Sequence, residues 1–192
     1  MMRWISILSI ICLSVAVHPP TILAINGNDA NQQQFLTFER NVYDLVDSAM
    51  EPLNKLDEKL DAQGLYDAVL SAKLKFAETS AAFAKLKVPI TLPDEIKVSL
   101  MQVKKDLSTG FESLEESMNV FQQYMDNSNP LIFERFIEKL EHGITYVDGG
   151  LTSLTTVKMQ LNPHGAEIKP NAWVVGKRHL YELQSIMASK HS

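Results

Sequence analysis

Apolar residues recur three and four positions apart along most of this chain, and no stretch shows the strict alternation of a half-buried strand. That period predicts amphipathic helices and no sheet. The first helix is expected over residues 33–63, with Phe35, Phe38, Val42, Leu45, Ala49, Leu53, Leu56 and Leu60 on one stripe and Gly64 as its C-terminal stop. A second is expected over 65–88. It carries Leu65, Val69, Ala72, Phe76, Thr79, Phe83 and Leu86, and Pro89 follows it. A third begins at Pro93, where Asp94 and Glu95 suit the positive end of a helix dipole. Its stripe is Ile96, Leu100, Val103, Leu107, Phe111, Leu114, Met118, Phe121 and Met125. Residues 126–130 (Asp-Asn-Ser-Asn-Pro) read as a stop and restart, with Asn129 capping a fourth helix and Pro130 at its first position. That helix carries Phe133, Ile137, Leu140, Ile144, Val147, Leu151, Leu154 and Leu161, and Asn162-Pro163 closes it.

Short connections make consecutive helices antiparallel neighbours. A stripe spaced about 3.5 residues apart favours shallow, left-handed coiled-coil crossings. The expected fold is therefore all-α: an elongated antiparallel up-down-up-down four-helix bundle over 33–162, with a short C-terminal helix or tail. The alternative is a longer coiled coil or hairpin dimer whose core a partner chain completes.

The heptad spacing is interrupted in two places. Leu45, Ala49 and Leu53 lie four apart beside Pro52, and Val103, Leu107 and Phe111 lie four apart beside Gly110. Such steps locally unwind a supercoil. Threading the helices up and down brings Ala49, Pro52, Ala72, Gly110, Gly149 and Gly150 to one level, a candidate mid-bundle waist. Three readings are open for it: close helix approach, a bend or small ligand cavity, or a break of the fourth helix at Asp148-Gly149-Gly150.

The two ends differ from this middle. Arg3 precedes an apolar run from Trp4 to Val17 that His18-Pro19-Pro20 stops, the layout of a secretory signal peptide over residues 1–24 with cleavage after Ala24. An uncleaved N-terminal anchor is the alternative. Cys12 lies inside the apolar run after Ile11, which disfavours a lipid-attachment site. Residues 25–32 read as a flexible linker. Residues 163–192 form a tail with local charge +2, against −8 for 25–162. Within it, Trp173, Leu180, Leu183 and Met187 are candidate contacts of a short helix that folds back onto the acidic bundle, with Trp173 as a plug. A disordered tail and a segment that docks on a partner or anionic surface are the alternatives.

Composition narrows the function. The chain has 192 residues, is 45% hydrophobic and 21% charged, and carries a net charge of −5, which argues against nucleic-acid binding. Its single cysteine excludes an intramolecular disulfide or a multi-cysteine zinc site. No Asn-x-Ser/Thr sequon occurs, which suits a bacterial exported protein better than a eukaryotic secreted one. No transmembrane span is expected once the leader is removed. No nucleophile elbow, phosphate loop or metal-ligand spacing is present. Glu138, Glu141 and His142 flank Leu140 on the expected solvent side and lack the second Glu-x-x-His of a bundle di-metal site. No metal, cofactor or catalytic residue is assigned. The expectation is an exported, non-enzymatic protein, secreted or at the cell surface, that presents helix faces to a protein or cell-surface partner. The alternative is a carrier of an apolar small molecule in a mid-bundle cavity near Phe76, Leu107 and Val147.

Overall fold

The computed structural model describes residues 27–58, 60–161 and 172–188, with side-chain burial given for 30–58, 60–161 and 172–185. Residues 1–26, which include Cys12, and residues 162–171 lie outside these residues. The described chain is all-helical: α1 (Gly27–Met50), a 3-10 helix (Glu51–Asp57), α2 (Ala62–Lys85), α3 (Asp94–Asn127), α4 (Pro130–Leu161) and α5 (Ala172–Ala188). No strand occurs among the described residues.

Several element ends differ from the sequence expectation. The first helix is not one rod over 33–63. It starts at Gly27, inside the stretch read as a linker, and gives way at Met50 to the 3-10 helix with Pro52 in its first turn. Pro52 has no N–H to give to the carbonyl four residues back, and its ring crowds that carbonyl, so the α-ladder cannot run through it. Gly64 is no C-terminal stop. It lies in the first turn of α2, where its N–H donates to Asp61 Oδ1 at 2.7 Å, so a capping aspartate starts α2 where a stop was expected. Helix α2 ends at Lys85, three residues short of Val88, and Pro93 is the N-cap of α3 and not its first residue. Ser128, with φ 50°, supplies the left-handed residue after α3, and Asn129 Oδ1 accepts from Leu131 N–H at 3.0 Å to cap α4.

Helices α3 and α4 share the most extensive contact, followed by α2 and α3. Helix α1 lies against α2, α4 and α5, whereas α1 and α3, like α2 and α4, are not in backbone contact. The buried stripe of α2 is the expected one, with Leu65, Val69, Ala72, Phe76, Thr79 and Phe83 all inside. In α1 the stripe slips by one residue: Val46 is buried and Leu45 only partly so. In α4, Phe136 and Val157 are buried, while Phe133, Ile137, Leu151 and Leu161 pack at the margin. Helix α4 passes without interruption through Asp148-Gly149-Gly150, which excludes a helix break there, one of the three open readings of the waist.

A polar seam joins α1 to α4. Lys158 Nζ lies 3.0 Å from Glu39 Oε1, with both side chains largely shielded, and Tyr43 hydrogen-bonds Thr155. Burial pushes the Tyr43 phenol above its ordinary 10.0, and the neighbouring Glu39 carboxylate adds to the shift. Above that pH the unfolded chain releases a proton that the folded chain retains, so stability falls as pH rises through about 10. Replacing Tyr43→Phe should flatten this alkaline decline in urea unfolding measured on either side of pH 10. An unchanged slope would contradict the burial of that hydroxyl.

Candidate functional site

Three glycines bring α3 and α4 together. A Cβ placed on Gly110 would lie 2.6 Å from Val147 Cγ2, 2.9 Å from the Val147 backbone nitrogen and 3.1 Å from the Gly143 carbonyl oxygen. One on Gly143 would lie 2.7 Å from Leu114 Cγ and 3.0 Å from the Gly110 carbonyl oxygen, and one on Gly150 would lie 2.9 Å from Leu107 Cγ. The two backbones therefore meet at Gly110 and Gly143, each facing the other's carbonyl, the geometry of weak Cα–H···O contacts. Gly149 points away and has nothing within 4 Å of such a Cβ.

Of the six waist residues, Gly110 and Gly150 lie in this seam. Ala49 and Ala72 are fully buried in the core cluster, Pro52 is half-buried at the start of the 3-10 helix, and Gly149 stands outside. Gly143 was missed. Its position seven residues before Gly150, on the same helix face, is the signal that would have found it. Phe76, Leu107 and Val147, the expected cavity lining, are each fully buried in the core cluster, and Phe76 packs on Phe111 with ring centroids 5.9 Å apart.

Helix α5 reaches this level from the side. Trp173 is 3% exposed, and its ring meets Phe111 edge-on at 6.4 Å, the same Phe111 that touches Phe76 and Phe83. The indole N–H donates to Asp148 Oδ1 at 2.7 Å. Lys177 Nζ sits 2.9 and 2.8 Å from the two Asp148 oxygens and 5.8 Å from the Trp173 ring centre. Leu180 and Leu183 are fully buried; the side chain of Met187 lies outside the described residues. Gly176 lets α5 press on Met50, since a Cβ there would meet Met50 Sδ at 2.3 Å. Ala172 N–H donates to Asp47 Oδ1 at 3.3 Å. Three aspartates on α1, the 3-10 helix and α4 thus receive donors from one basic helix.

The third, Asp57, belongs to a cluster that sequence spacing did not reveal. Asp57, the fully buried His179 and Glu182 place their ligand atoms within 4.8 Å of one another, as a metal set would. The Arg178 guanidinium lies among them: Nη2 is 2.9 Å from Asp57 Oδ1 and 2.8 Å from His179 Nε2, and Nε is 3.2 Å from Glu182. His179 Nε2 also lies 3.1 Å from Asp57 Oδ1, so Arg178 and Asp57 both face the same ring nitrogen, and the guanidinium supplies the positive charge that a metal would bring. His142, by contrast, is exposed, with Nδ1 2.9 Å from Ser113 Oγ and its ring against Tyr146. Glu138 and Glu141 are exposed beside it.

Two surface features complete the inventory. A groove of about 610 Å³ between α1 and α2 is lined by Asn41, Asp44, Leu45, Ser48, Ala82, Lys85 and Leu86. Leu45, which the slipped stripe leaves half-buried against the core, is one of its lining residues. At the end of the molecule where α2 turns into α3, Ile90, Val98 and Met101 are 85, 64 and 55% exposed. Comparison of the chain with known protein families, characterised proteins and solved structures finds no match.

Two predictions follow from the seam and the docked helix. Gly143→Ala should destabilise by about 1–3 kcal/mol in urea unfolding, because backbone and Leu114 must give way, whereas Gly149→Ala should stabilise by up to about 1 kcal/mol. In a Trp4→Phe background, Trp173 emission should be blue-shifted and shielded from acrylamide, and Asp148→Ala should shift it to the red. Red emission in the parent protein would contradict the docking of α5.

Proposed function

We propose that this chain is an exported, non-catalytic helical-bundle protein that works outside the cytoplasm by presenting helix faces to a macromolecular or cell-surface partner. We also infer that α1–α4 form an up-down-up-down bundle. In support, Lys73 meets Asn119 and Ser80 meets Ser108, and Phe121 meets Phe136 while Leu114 abuts Gly143, as antiparallel neighbours require. The observation that carries the functional reading is the division of apolar side chains. The waist level is filled by Phe111, Phe76 and Trp173, while Leu74, Ile90, Val98, Met101, Leu131 and Val174 stand on outer surfaces. A filled interior leaves chemistry to the surface, and exposed apolar side chains that cluster mark interaction sites.

The groove between α1 and α2 favours a second reading, a carrier of an apolar small molecule seated on Leu45, Ala82 and Leu86 rather than at mid-bundle. One pair of measurements separates the two. A photo-reactive side chain at Val98, in cells producing the protein, should form abundant adducts with protein, polymer or lipid, and one at exposed Glu138 should form few. Native mass spectrometry of the recovered chain should show no retained small molecule. A bound apolar ligand that Leu45→Arg abolishes, with no adducts at Val98, would overturn the first reading in favour of the second.

A further inference from the structure

The exposed apolar residues at the turn between α2 and α3 share their surface with lysines. Residues 85–105 hold Lys85, Lys87, Lys97, Lys104 and Lys105 against only Asp94 and Glu95, a local +3 in a chain of net charge −5. Lys97 ties off Asp94 at 2.6 Å and holds that carboxyl below its usual range, although the carboxylate is open to solvent. Lys97 and Lys104 tie α3 to the turn and to the end of α2. Lys97 Nζ reaches the Ile90 carbonyl at 3.4 Å and Lys104 Nζ reaches the Ala84 carbonyl at 3.3 Å. Met101, Lys104, Lys105, Ser108 and Thr109 line one shallow groove with Ala84. Val98, Met101 and Lys105 follow one another at steps of three and four on α3, so they share a face.

Helix α1 flanks this turn, where Gln34 hydrogen-bonds Thr91.

We propose that this end of the molecule docks on an anionic lipid bilayer, with Ile90, Val98 and Met101 entering the headgroup boundary and Lys85, Lys87, Lys97, Lys104 and Lys105 facing the lipid charge. The inference deepens the reading of a protein that presents its surface, and rests on it. The side chains have the chemistry for it. Ile90 projects from the turn, while Val98 and Met101 lie about one and two helical turns from the start of α3 at Asp94, roughly 6 and 10 Å along it and within the depth that interfacial elements reach. Lysines set around apolar side chains give the paired hydrophobic and electrostatic attraction that peripheral binding needs.

Vesicle co-sedimentation of the chain without residues 1–24, the expected leader, tests this. Partitioning onto vesicles of equal parts phosphatidylglycerol and phosphatidylcholine should exceed that onto pure phosphatidylcholine at least tenfold and should weaken as salt is raised. Ile90→Asp and the double variant Lys87→Glu/Lys105→Glu should each reduce anionic-vesicle binding tenfold or more while leaving the helical circular dichroism unchanged, since all three side chains are exposed. Equal binding to both vesicle types, or binding that neither variant reduces, would overturn the proposal. Because adducts at Val98 to a protein or polymer would still form in that case, failure here is distinguishable from failure of the broader reading.

Discussion

The close approach of α3 and α4 is the constraint on which the rest of this structure depends. At Gly110 and Gly143 there is no room for a side chain, so two long helices meet backbone to backbone. Interiors packed to crystal-like density do not absorb a displaced helix cheaply. The separation set there determines where Leu107, Leu114 and Val147 interdigitate, and how far Phe111 projects toward α2 and α5. Helix α2 adds to α3 through the Phe76–Phe111–Phe83 ring cluster. Helix α1 is attached more lightly, through the Glu39–Lys158 pair and its contact with α2.

Helix α5 is a second layer held by a different kind of force. Its apolar face supplies Trp173, Leu180 and Leu183, but its register comes from charge: Asp148 takes the indole N–H and Lys177, and Asp57 takes Arg178. Both aspartates stay substantially exposed, so these pairs orient the helix more than they stabilise it. The break of α1 at Pro52 serves this arrangement. It ends the α-ladder beside Met50, against which Gly176 lies, and turns the chain into the 3-10 helix that carries Asp57.

Helix class and approximate extent were legible because a buried stripe must repeat with the helical period, and α2 and α3 repeat it cleanly. The C-terminal plug was legible in outline from a lone Trp in a basic tail beside an acidic bundle. Other features were not. Pro52 was visible, yet its effect on the ladder was underestimated because the apolar spacing continues across it. Gly64 looked like a stop because it follows the last residue of an apolar stripe, whereas the capping role of Asp61 that makes it part of a helix start leaves no periodic signal. Asp148 sat in a motif for which a helix break was one of three open readings, and its partners lie 25 and 29 positions away. His179 and Asp57 are 122 positions apart, a separation at which no local pattern relates two residues.

The α3–α4 seam is the most firmly held part of the molecule on this reading of its packing, and native-state amide hydrogen exchange measures it. The amides of α3 and α4 around Gly110 and Val147 should exchange only through global unfolding, with those of α5 and the start of α1 opening at markedly lower free energy. Exchange that releases the α3–α4 seam before α1 or α5 would contradict the glycine contact as the constraint that organises the fold.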